Sequence, residues 1–285
     1  MGANGVVYLV EYQGGYYAMK VSESITSLTS EMNVLKSFSK VQGPSLGPYL
    51  LHGDDWVYKG ATYPFYIMEF IEGKDVSVFL REKGPEWAEI LVLQLLTALE
   101  HLHGQGWVFG DLKPENLLVS DPGYRVRCVD VGGTTQMGRS IKEFTEFFDR
   151  GYWALGSRKA EPSYDLFAVA MIIINAHYPD RFKKTQDPYG RLTDAINQKK
   201  QLAPYKNVLL RALQGKYGSA KEMRAELMAA IQAKGDPAHR SNRRSTVTQK
   251  RSRSKKKQSH FGEWAVLLFL ICCLYGFYLY IQIAG

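Results

Sequence analysis

Two short stretches constrain this 285-residue chain more than any other part of its sequence. The first, FGDLKPENLL, carries a carboxylate at Asp111 and an amide five residues later at Asn116. The second, VDVGG, places another carboxylate at Asp130. Magnesium prefers carboxylate and carbonyl oxygens as ligands. The pattern therefore indicates one carboxylate that can accept a proton and two oxygen donors for a cation, a combination that suits phosphoryl transfer.

Both stretches resemble motifs of the protein kinase family. DLKPEN is similar to its catalytic loop, and DVG to its metal-binding Asp-Phe-Gly. The resemblance implies a two-lobed α+β fold, with a small β-rich N-lobe and a helical C-lobe. It further implies that Asp111 is the catalytic base, that Asn116 and Asp130 bind Mg²⁺ or Mn²⁺, and that ATP is the phosphoryl donor. Lys113 is the serine/threonine form of this loop and would neutralise the transferring phosphate.

The beginning of the chain resembles the small lobe of the family. GANGVVY contains Gly2 and Gly5, and glycine lets backbone amides approach phosphates without an intervening side chain. The next residues alternate like a hairpin that turns at two glycines, and its second strand ends at Lys20. A helix with an apolar stripe then carries Glu31. By resemblance, Lys20 binds the α and β phosphates and Glu31 holds Lys20 in place.

The segment at 62–73, TYPFYIMEFIEG, is typical of a buried strand that runs into a glycine-bounded connection. It resembles the family's hinge, which would place Met68 at the gate of the adenine pocket. The predicted ATP-binding residues are Gly2, Gly5, Val7, Ala18, Lys20, Glu31, Met68, Glu69, Ile71 and Leu118. The family's phosphate loop begins one glycine and most of a strand earlier, so we expect an upstream start or a shortened first strand.

The large lobe departs from the family at several positions. Phe109 and Gly110 stand where His-Arg usually precedes the catalytic aspartate, and Val131 replaces the phenylalanine of Asp-Phe-Gly. The missing arginine normally pairs with a phosphorylated activation segment, so we expect no switching by that route. Phe109 would still pack beside Val131. Asp165, in SYDLFAVAMIII, resembles the buried aspartate that anchors the catalytic-loop backbone.

The activation segment would extend from Asp130 to about Ser163. Its candidate phosphoacceptors for autophosphorylation are Thr134, Thr135, Ser140 and Thr145. GYWALG lacks the glutamate of the family's Ala-Pro-Glu, and Tyr217 stands where its arginine partner would be. We interpret this paired loss as a tolerated variant. Helices near 190–198, 205–214 and 219–233 would complete a reduced C-lobe.

The positive charge of the chain is concentrated near its C-terminus. The formal net charge is +8, and nine cations with no acid between them are found at Arg240, Arg243, Arg244, Lys250, Arg251, Arg253, Lys255, Lys256 and Lys257. Residues 234–262 contain few aliphatic side chains and should form a disordered basic linker. The kinase domain would therefore occupy residues 1–233, with the N-lobe at about 1–69 and the C-lobe at about 74–233.

An apolar run of 18 residues without a charge begins at Trp264. At about 1.5 Å per residue it spans roughly the 30 Å hydrocarbon core of a membrane, which predicts a transmembrane helix at 263–283. The basic flank places the kinase domain in the cytoplasm and the C-terminus outside by the positive-inside rule. We expect no signal peptide and, from three cysteines without metal-ligand spacing, a reducing environment.

The basic linker suits two kinds of polyanion. Near an anionic leaflet, each basic residue contributes on the order of 1 kcal/mol. The same cations, interspersed with Ser, Thr, Asn and Gln, could instead bind the phosphates of DNA in a salt-dependent way. A polyanion that gathers several linkers would activate kinase domains by proximity, so dimerisation belongs to this expectation.

Two other functions stay open at this point. Gly110 before Asp111 also resembles the His-Gly-Asp loop of small-molecule kinases such as aminoglycoside phosphotransferases, although Lys113, Pro-Glu-Asn and a long activation segment argue against them. A pseudokinase scaffold is the second alternative, because the phosphate loop is incomplete and His-Arg is lost. Against it, every predicted metal and phosphate ligand is present.

Overall fold

The computed structural model describes residues 5–38 and 46–235, which form the two-lobed α+β fold that the sequence predicts. Gly2, the basic cations at 240–257 and the apolar run at 263–283 lie outside the described residues. Within the described part of the chain, no helix combines the length and the apolar character needed to cross a membrane.

The N-lobe is one antiparallel sheet with a helix. Its elements are β1 (Val6–Tyr12), β2 (Gly15–Val21), α1 (Ile25–Phe38), β3 (Leu50–Tyr58) and β4 (Ala61–Glu69). The strands are ordered β1-β2-β4-β3. Gln13 and Gly14 both adopt positive φ and form the two-residue turn that fixes the register of the first hairpin. The turn lies one residue before the predicted turn at Gly14 and Gly15, because Gly15 already pairs with Tyr12. β1 is the first strand of the described sheet.

Helix α1 packs on this sheet through its predicted apolar stripe. Leu28 and Leu35 are buried one above the other along the helix, with Val34 beside them. Val34 lies outside the predicted stripe, which consists of Leu28, Met32, Leu35 and Phe38. The packing turns Glu31 inward, toward the strand that carries Lys20.

The C-lobe consists mainly of helices, with short strands that carry the loops of the site. Its elements are β5 (Lys74–Asp75), α2 (Val76–Lys83), α3 (Trp87–Gly104), β6 (Trp107–Val108), β7 (Leu117–Ser120), β8 (Arg125–Cys128), β9 (Thr135–Gln136), α4 (Pro162–His177), α5 (Pro188–Gln198), α6 (Lys206–Leu213) and α7 (Ala220–Gly235). The hairpin of β7 and β8 separates the two motif-bearing stretches.

Helices α3 and α4 form the centre of the large hydrophobic core. α4 is buried on nearly every face, which explains why its sequence is apolar without a clear polar stripe. Asp165, in the first turn of α4, is a buried charged residue in this otherwise largely apolar helix. α7 extends to Gly235, two residues into the region predicted as a linker. Its packing against α3 ties the end of the C-lobe to the same core.

Candidate active site

Lys20 and Glu31 form a buried ion pair between β2 and α1. Lys20 Nζ lies 2.6 Å from Glu31 Oε2, and the hydroxyl of Tyr66 on β4 donates a 2.8 Å hydrogen bond to the same oxygen. Burial, followed by the charge of Glu31, raises the pKa of Tyr66, so its hydroxyl keeps the proton that it donates. Glu31 Oε1 has no hydrogen-bond partner among the described residues. The pair fixes the lysine ammonium at the back of the cleft.

Asp111 is surrounded by side chains from both the catalytic loop and the later segment. Lys113 Nζ lies 2.5 Å from Asp111 Oδ2, and Thr145 Oγ1 donates a 2.9 Å hydrogen bond to Oδ1. Lys113 also donates to Thr145 at 3.0 Å. The three side chains form a closed triangle in which a carboxylate and an ammonium are held side by side. The sequence predicted Asp111 and Lys113 as site residues but indicated Thr145 only as a candidate phosphoacceptor.

The catalytic loop is anchored from below by Asp165. Its carboxylate is fully buried and accepts hydrogen bonds from the backbone amides of Phe109, at 2.8 Å, and Gly110, at 2.9 Å. His103 Nε2, at the end of α3, lies 2.9 Å from Asp165 Oδ2. The sequence resemblance suggested the role of Asp165. It gave no role to His103, which lies 62 residues away along the chain.

Gly110 has a backbone conformation that explains why glycine stands there. Its φ is +86°, and a Cβ at this position would lie 2.7 Å from the backbone oxygen of Gly133. Any larger residue would therefore be strained and would also clash. The backbone conformation therefore requires glycine at position 110, where the family usually has an arginine. Phe109 and Val131 are both buried in the large core, as the apolar support that the sequence suggested.

Asn116 and Asp130 are suited to a divalent cation completed by nucleotide phosphates. Asn116 Nδ2 donates to the backbone oxygen of Asp111 at 2.9 Å, which leaves its amide oxygen as a potential ligand. Asp130 Oδ1 accepts from the Gly132 amide at 3.0 Å. Within 5–38 and 46–235, no three His, Cys, Asp or Glu side chains cluster to hold a metal by themselves. Magnesium commonly takes only one or two protein carboxylates together with phosphate oxygens, so the donor set fits it.

A cleft of about 550 Å³ between the lobes brings most of the predicted ATP-binding residues together. The predicted residues that line it are Gly5, Val7, Ala18, Lys20, Met68, Glu69, Ile71, Asn116, Leu118 and Asp130. Glu31 lies behind Lys20. A groove of about 670 Å³ behind the hinge contains none of these residues. This cleft is therefore the candidate nucleotide site, and its volume lies within the range of small-molecule sites.

An ion pair that the sequence did not reveal holds the hinge. Arg127 on β8 binds both carboxylate oxygens of Glu69, at 3.1 and 2.7 Å, and also donates to the backbone oxygen of Gly47 at 2.9 Å. The side chain of Glu69 is thereby occupied. Its backbone N–H is occupied too, because it donates a 3.0 Å hydrogen bond to the backbone oxygen of Tyr49.

Comparison with known proteins agrees with this geometry. The model of the protein kinase domain family matches residues 1–249. The chain belongs to the protein kinase family. The serine/threonine-protein kinase YabT of Bacillus subtilis (strain 168) is 46% identical over 297 residues, which cover 98% of this chain and 88% of that protein. The chain is accordingly a protein-serine/threonine kinase.

Kinases of eukaryotes match smaller parts of the chain. The cGMP-dependent protein kinase, isozyme 1, of Drosophila melanogaster is 32% identical over 119 residues, 35% of this chain and 15% of that protein. The serine/threonine-protein kinase RHS3 of Arabidopsis thaliana is 36% identical over 141 residues, 43% of this chain and 26% of that protein. Each of these matches covers less than half of this chain.

The activation segment of this kinase is held by Asp149. Its buried carboxylate pairs with Arg158 at 2.6 Å and accepts hydrogen bonds from the Tyr164 hydroxyl and the amides of Gly151 and Tyr152. Burial alone would raise the pKa of Asp149, but these hydrogen bonds, led by that from Arg158, lower it below its usual value. The segment is thus held in place by an ion pair and by hydrogen bonds among its own residues and Tyr164.

Arg150 fills the place left by the family's missing glutamate. A Cβ on Gly156 would lie 2.9 Å from Cδ of Arg150, whose guanidinium pairs with Glu161 at 2.7 Å. Tyr217, at the position of the missing arginine, donates a 2.8 Å hydrogen bond to Glu226. Where the family has a glutamate–arginine ion pair, this kinase thus has two local contacts, Arg150 with Glu161 and Tyr217 with Glu226. This is a physical basis for the paired loss noted in the sequence.

The predicted phosphoacceptors differ in accessibility. Thr134 and Thr135 are buried, at 1% and 0% exposure, so this conformation leaves no room for a phosphate on either hydroxyl. Thr145 is held on Asp111 and belongs to the site itself. Ser140 is exposed, in a backbone bridge with Lys159. Of the four, Ser140 alone combines exposure with a hydroxyl outside the site, and the phosphorylation of any of them stays a prediction.

Proposed function

We propose that this kinase transfers the γ-phosphate of ATP to serine and threonine hydroxyls of cytoplasmic proteins, with Asp111 as the general base. The triangle of Asp111, Lys113 and Thr145 is the observation that carries the proposal. As the acceptor oxygen bonds to phosphorus and ADP leaves, the hydroxyl proton passes to Asp111. Lys113 stabilises the charge of the transferring group from the same side.

Lys20 would orient the α and β phosphates from the other end of the cleft, because Glu31 and Tyr66 hold its ammonium in a fixed position. Asn116 and Asp130 would hold Mg²⁺ or Mn²⁺, which supplies positive charge beside the phosphates when bound. The phosphate-binding lysine lies in the N-lobe, whereas the base and the metal ligands lie in the C-lobe. Phosphate transfer therefore depends on closure of the two lobes around the nucleotide.

The test compares acceptors. The full chain is incubated with labelled ATP and magnesium, in one series with generic protein acceptors and in another with a panel of small alcohols that includes aminoglycosides. We expect label on protein Ser and Thr, and none with Lys20→Ala. Preferential labelling of small alcohols would identify a small-molecule phosphotransferase instead. Magnesium-dependent nucleotide binding without turnover would identify a pseudokinase.

We further propose that residues 263–283 anchor the kinase in the cell membrane by a single span, with the kinase domain in the cytoplasm. The support is the 18-residue apolar run with a basic flank. Tags at either end of the full chain, probed with protease on intact cells, test this topology. The C-terminal tag should be cleaved from outside and the N-terminal tag protected. Release of the full chain by alkaline carbonate would refute the anchor.

The nine cations between Arg240 and Lys257 would then lie beside the membrane, and we propose that anionic lipid regulates the kinase through them. Duplex DNA is the second candidate, supported by the same cations and the interspersed polar residues. The proposal includes autophosphorylation of gathered copies, with Ser140 as one exposed acceptor.

The full chain in neutral vesicles, in vesicles with phosphatidylglycerol, and in neutral vesicles with duplex DNA distinguishes these sources. A rate increase with phosphatidylglycerol alone supports lipid, and an increase with DNA supports nucleic acid. Either increase should disappear at high salt and in a variant with the nine cations replaced by glutamine. Equal rates in all three preparations would refute regulation through this segment.

A further inference from the structure

Ser30 of α1 contacts the activation segment across the front of the two lobes. Lys142 Nζ donates a 3.0 Å hydrogen bond to Ser30 Oγ, although the residues are 112 positions apart. Ser30 directly precedes Glu31, whose carboxylate holds Lys20. The contact therefore joins the activation segment to the helix that positions the nucleotide-binding lysine.

An open groove of about 610 Å³ lies beside this contact. Hydroxyls of Thr26, Thr29 and Ser30 face it from α1, and Arg139 faces it from the activation segment. No acidic side chain is among the described residues that line it. Arg139 and Lys142 are both exposed, and neither pairs with a carboxylate within 5–38 and 46–235. The groove thus offers space and one cation, Arg139, next to a helix hydroxyl that already contacts a second cation, Lys142.

Position 110, where the family usually has an arginine, cannot supply a cation for a phosphate on the activation segment. Gly110 has no side chain, and its backbone excludes one. In this kinase the cations lie on the activation segment itself, and the hydroxyls lie opposite on α1. This distribution of charge favours a phosphate carried by the helix over one carried by the segment.

We propose that Ser30 is a phosphorylation site, and that its phosphate binds Lys142 and Arg139 to hold Glu31 against Lys20. The present hydrogen bond joins an ammonium to a neutral hydroxyl. A phosphate would add a charge of about −1.5 to −2 and three acceptor oxygens at the same place. The link between the activation segment and α1 would become charge-assisted on both cations.

The modification, which rests on the proposed autophosphorylation, requires a second copy of the chain. The bond between Ser30 Oγ and phosphorus forms as the bond from the γ-phosphorus to the leaving oxygen of ADP breaks. The hydroxyl proton passes to Asp111 of that second copy. A copy cannot modify its own Ser30, because the adjacent Glu31 must stay paired with Lys20 during transfer.

Peptide mapping of the full chain after phosphatase treatment and incubation with ATP and magnesium tests the site. Phosphate should appear on Ser30 and should be absent in Ser30→Ala, while Thr29→Ala, in the same groove, should keep it. Preincubation with ATP should raise the rate toward casein about fivefold in the wild type. Casein labelling with Ser30 unmodified would overturn the proposal without affecting the assigned kinase activity.

A second measurement does not depend on self-modification. Phosphoserine incorporated at position 30 during synthesis should raise the Tm by roughly 3 °C relative to serine. The increase should disappear in the double variant Arg139→Gln, Lys142→Gln. An unchanged or lower Tm with phosphoserine, or an increase that survives in the double variant, would overturn the proposed phosphate contact.

Discussion

Thr145 Oγ1 donates a 2.9 Å hydrogen bond to Asp111 Oδ1 and accepts a 3.0 Å hydrogen bond from Lys113 Nζ. A residue of the activation segment therefore completes the catalytic loop. Because the same hydroxyl serves both charged groups, it fixes the carboxylate and the ammonium relative to each other. A shift of the activation segment would therefore change the hydrogen bonds that orient the catalytic base.

The first prediction concerns this hydroxyl. Thr145→Val removes the donor to Asp111 while keeping the side-chain shape, and should lower kcat roughly 10- to 100-fold with little change in the KM for ATP. Thr145→Ser keeps the hydroxyl and should retain most of the activity. Steady-state kinetics on a protein acceptor provide the measurement. Equal activity of the valine and wild-type enzymes would show that Asp111 needs no such support.

The second prediction concerns the ion pair of the N-lobe. Glu31→Gln leaves Lys20 buried beside a neutral amide, so the ammonium should lose its fixed position. We expect kcat/KM for ATP to fall by roughly 100-fold. Tyr66→Phe removes only one hydrogen bond to Glu31 and should cost less than about tenfold. A larger loss with phenylalanine than with glutamine would contradict this ranking.

The third prediction separates backbone strain from steric clash at Gly110. Gly110→Ala introduces a Cβ 2.7 Å from the Gly133 oxygen, whereas Gly138→Ala, at nearly the same φ of +87°, meets nothing within 4 Å. The Gly138 variant should lose about 1 kcal/mol of unfolding free energy, and the Gly110 variant roughly 2 kcal/mol more. Urea unfolding of both variants measures the difference. Equal losses of unfolding free energy in the two variants would show that the clash with the Gly133 oxygen contributes nothing.

The fourth prediction concerns pH. The folded pKa of Asp149 lies below its unfolded value, so its carboxylate stabilises the fold above about pH 4. That stabilisation is lost as pH falls through the folded pKa. Asp149→Asn should lower the unfolding free energy by about 2 kcal/mol at neutral pH and flatten its decline in acid.

Urea unfolding from about pH 7 to about pH 3 would compare this variant with exposed Asp180→Asn as a control. The control should keep the wild-type slope. If Asp149→Asn also keeps that slope, another carboxylate is responsible for the acid sensitivity of the fold.

The parts of the site that the sequence could indicate are those with a fixed spacing or a regular period. Lys20 lies near the end of a strand of an alternating hairpin, and Glu31 lies beside the apolar stripe of a helix, so both elements could be predicted before any contact was known. The pairing of the two residues was implied by the resemblance. Asp111 and Asn116 lie in one short loop, and the order and spacing of its residues indicate their roles in phosphoryl transfer. The two-lobed fold was implied by the resemblance of these motifs to those of the protein kinase family.

The rest of the site depends on contacts between loops, which have no period. Thr145 is one of several hydroxyls in a long segment, and nothing in its neighbours indicates that it bonds to Asp111. Asp149 and Arg158 pair across a turn that no pattern predicts. The φ of Gly110 cannot be predicted from the sequence either, so its glycine was interpreted as a missing arginine or as a resemblance to small-molecule kinases. Residues 236–285 lie outside the described residues, and the linker and membrane helix stay predictions.

The central claim, that Asp111 is the general base of protein phosphorylation, is tested most directly by transfer from labelled ATP with Asp111→Asn. Asparagine keeps the size of the side chain but cannot accept the proton. We predict a loss of roughly 1,000-fold in kcat, with binding of ATP and magnesium retained in a separate titration. Transfer at the wild-type rate by Asp111→Asn would contradict the account.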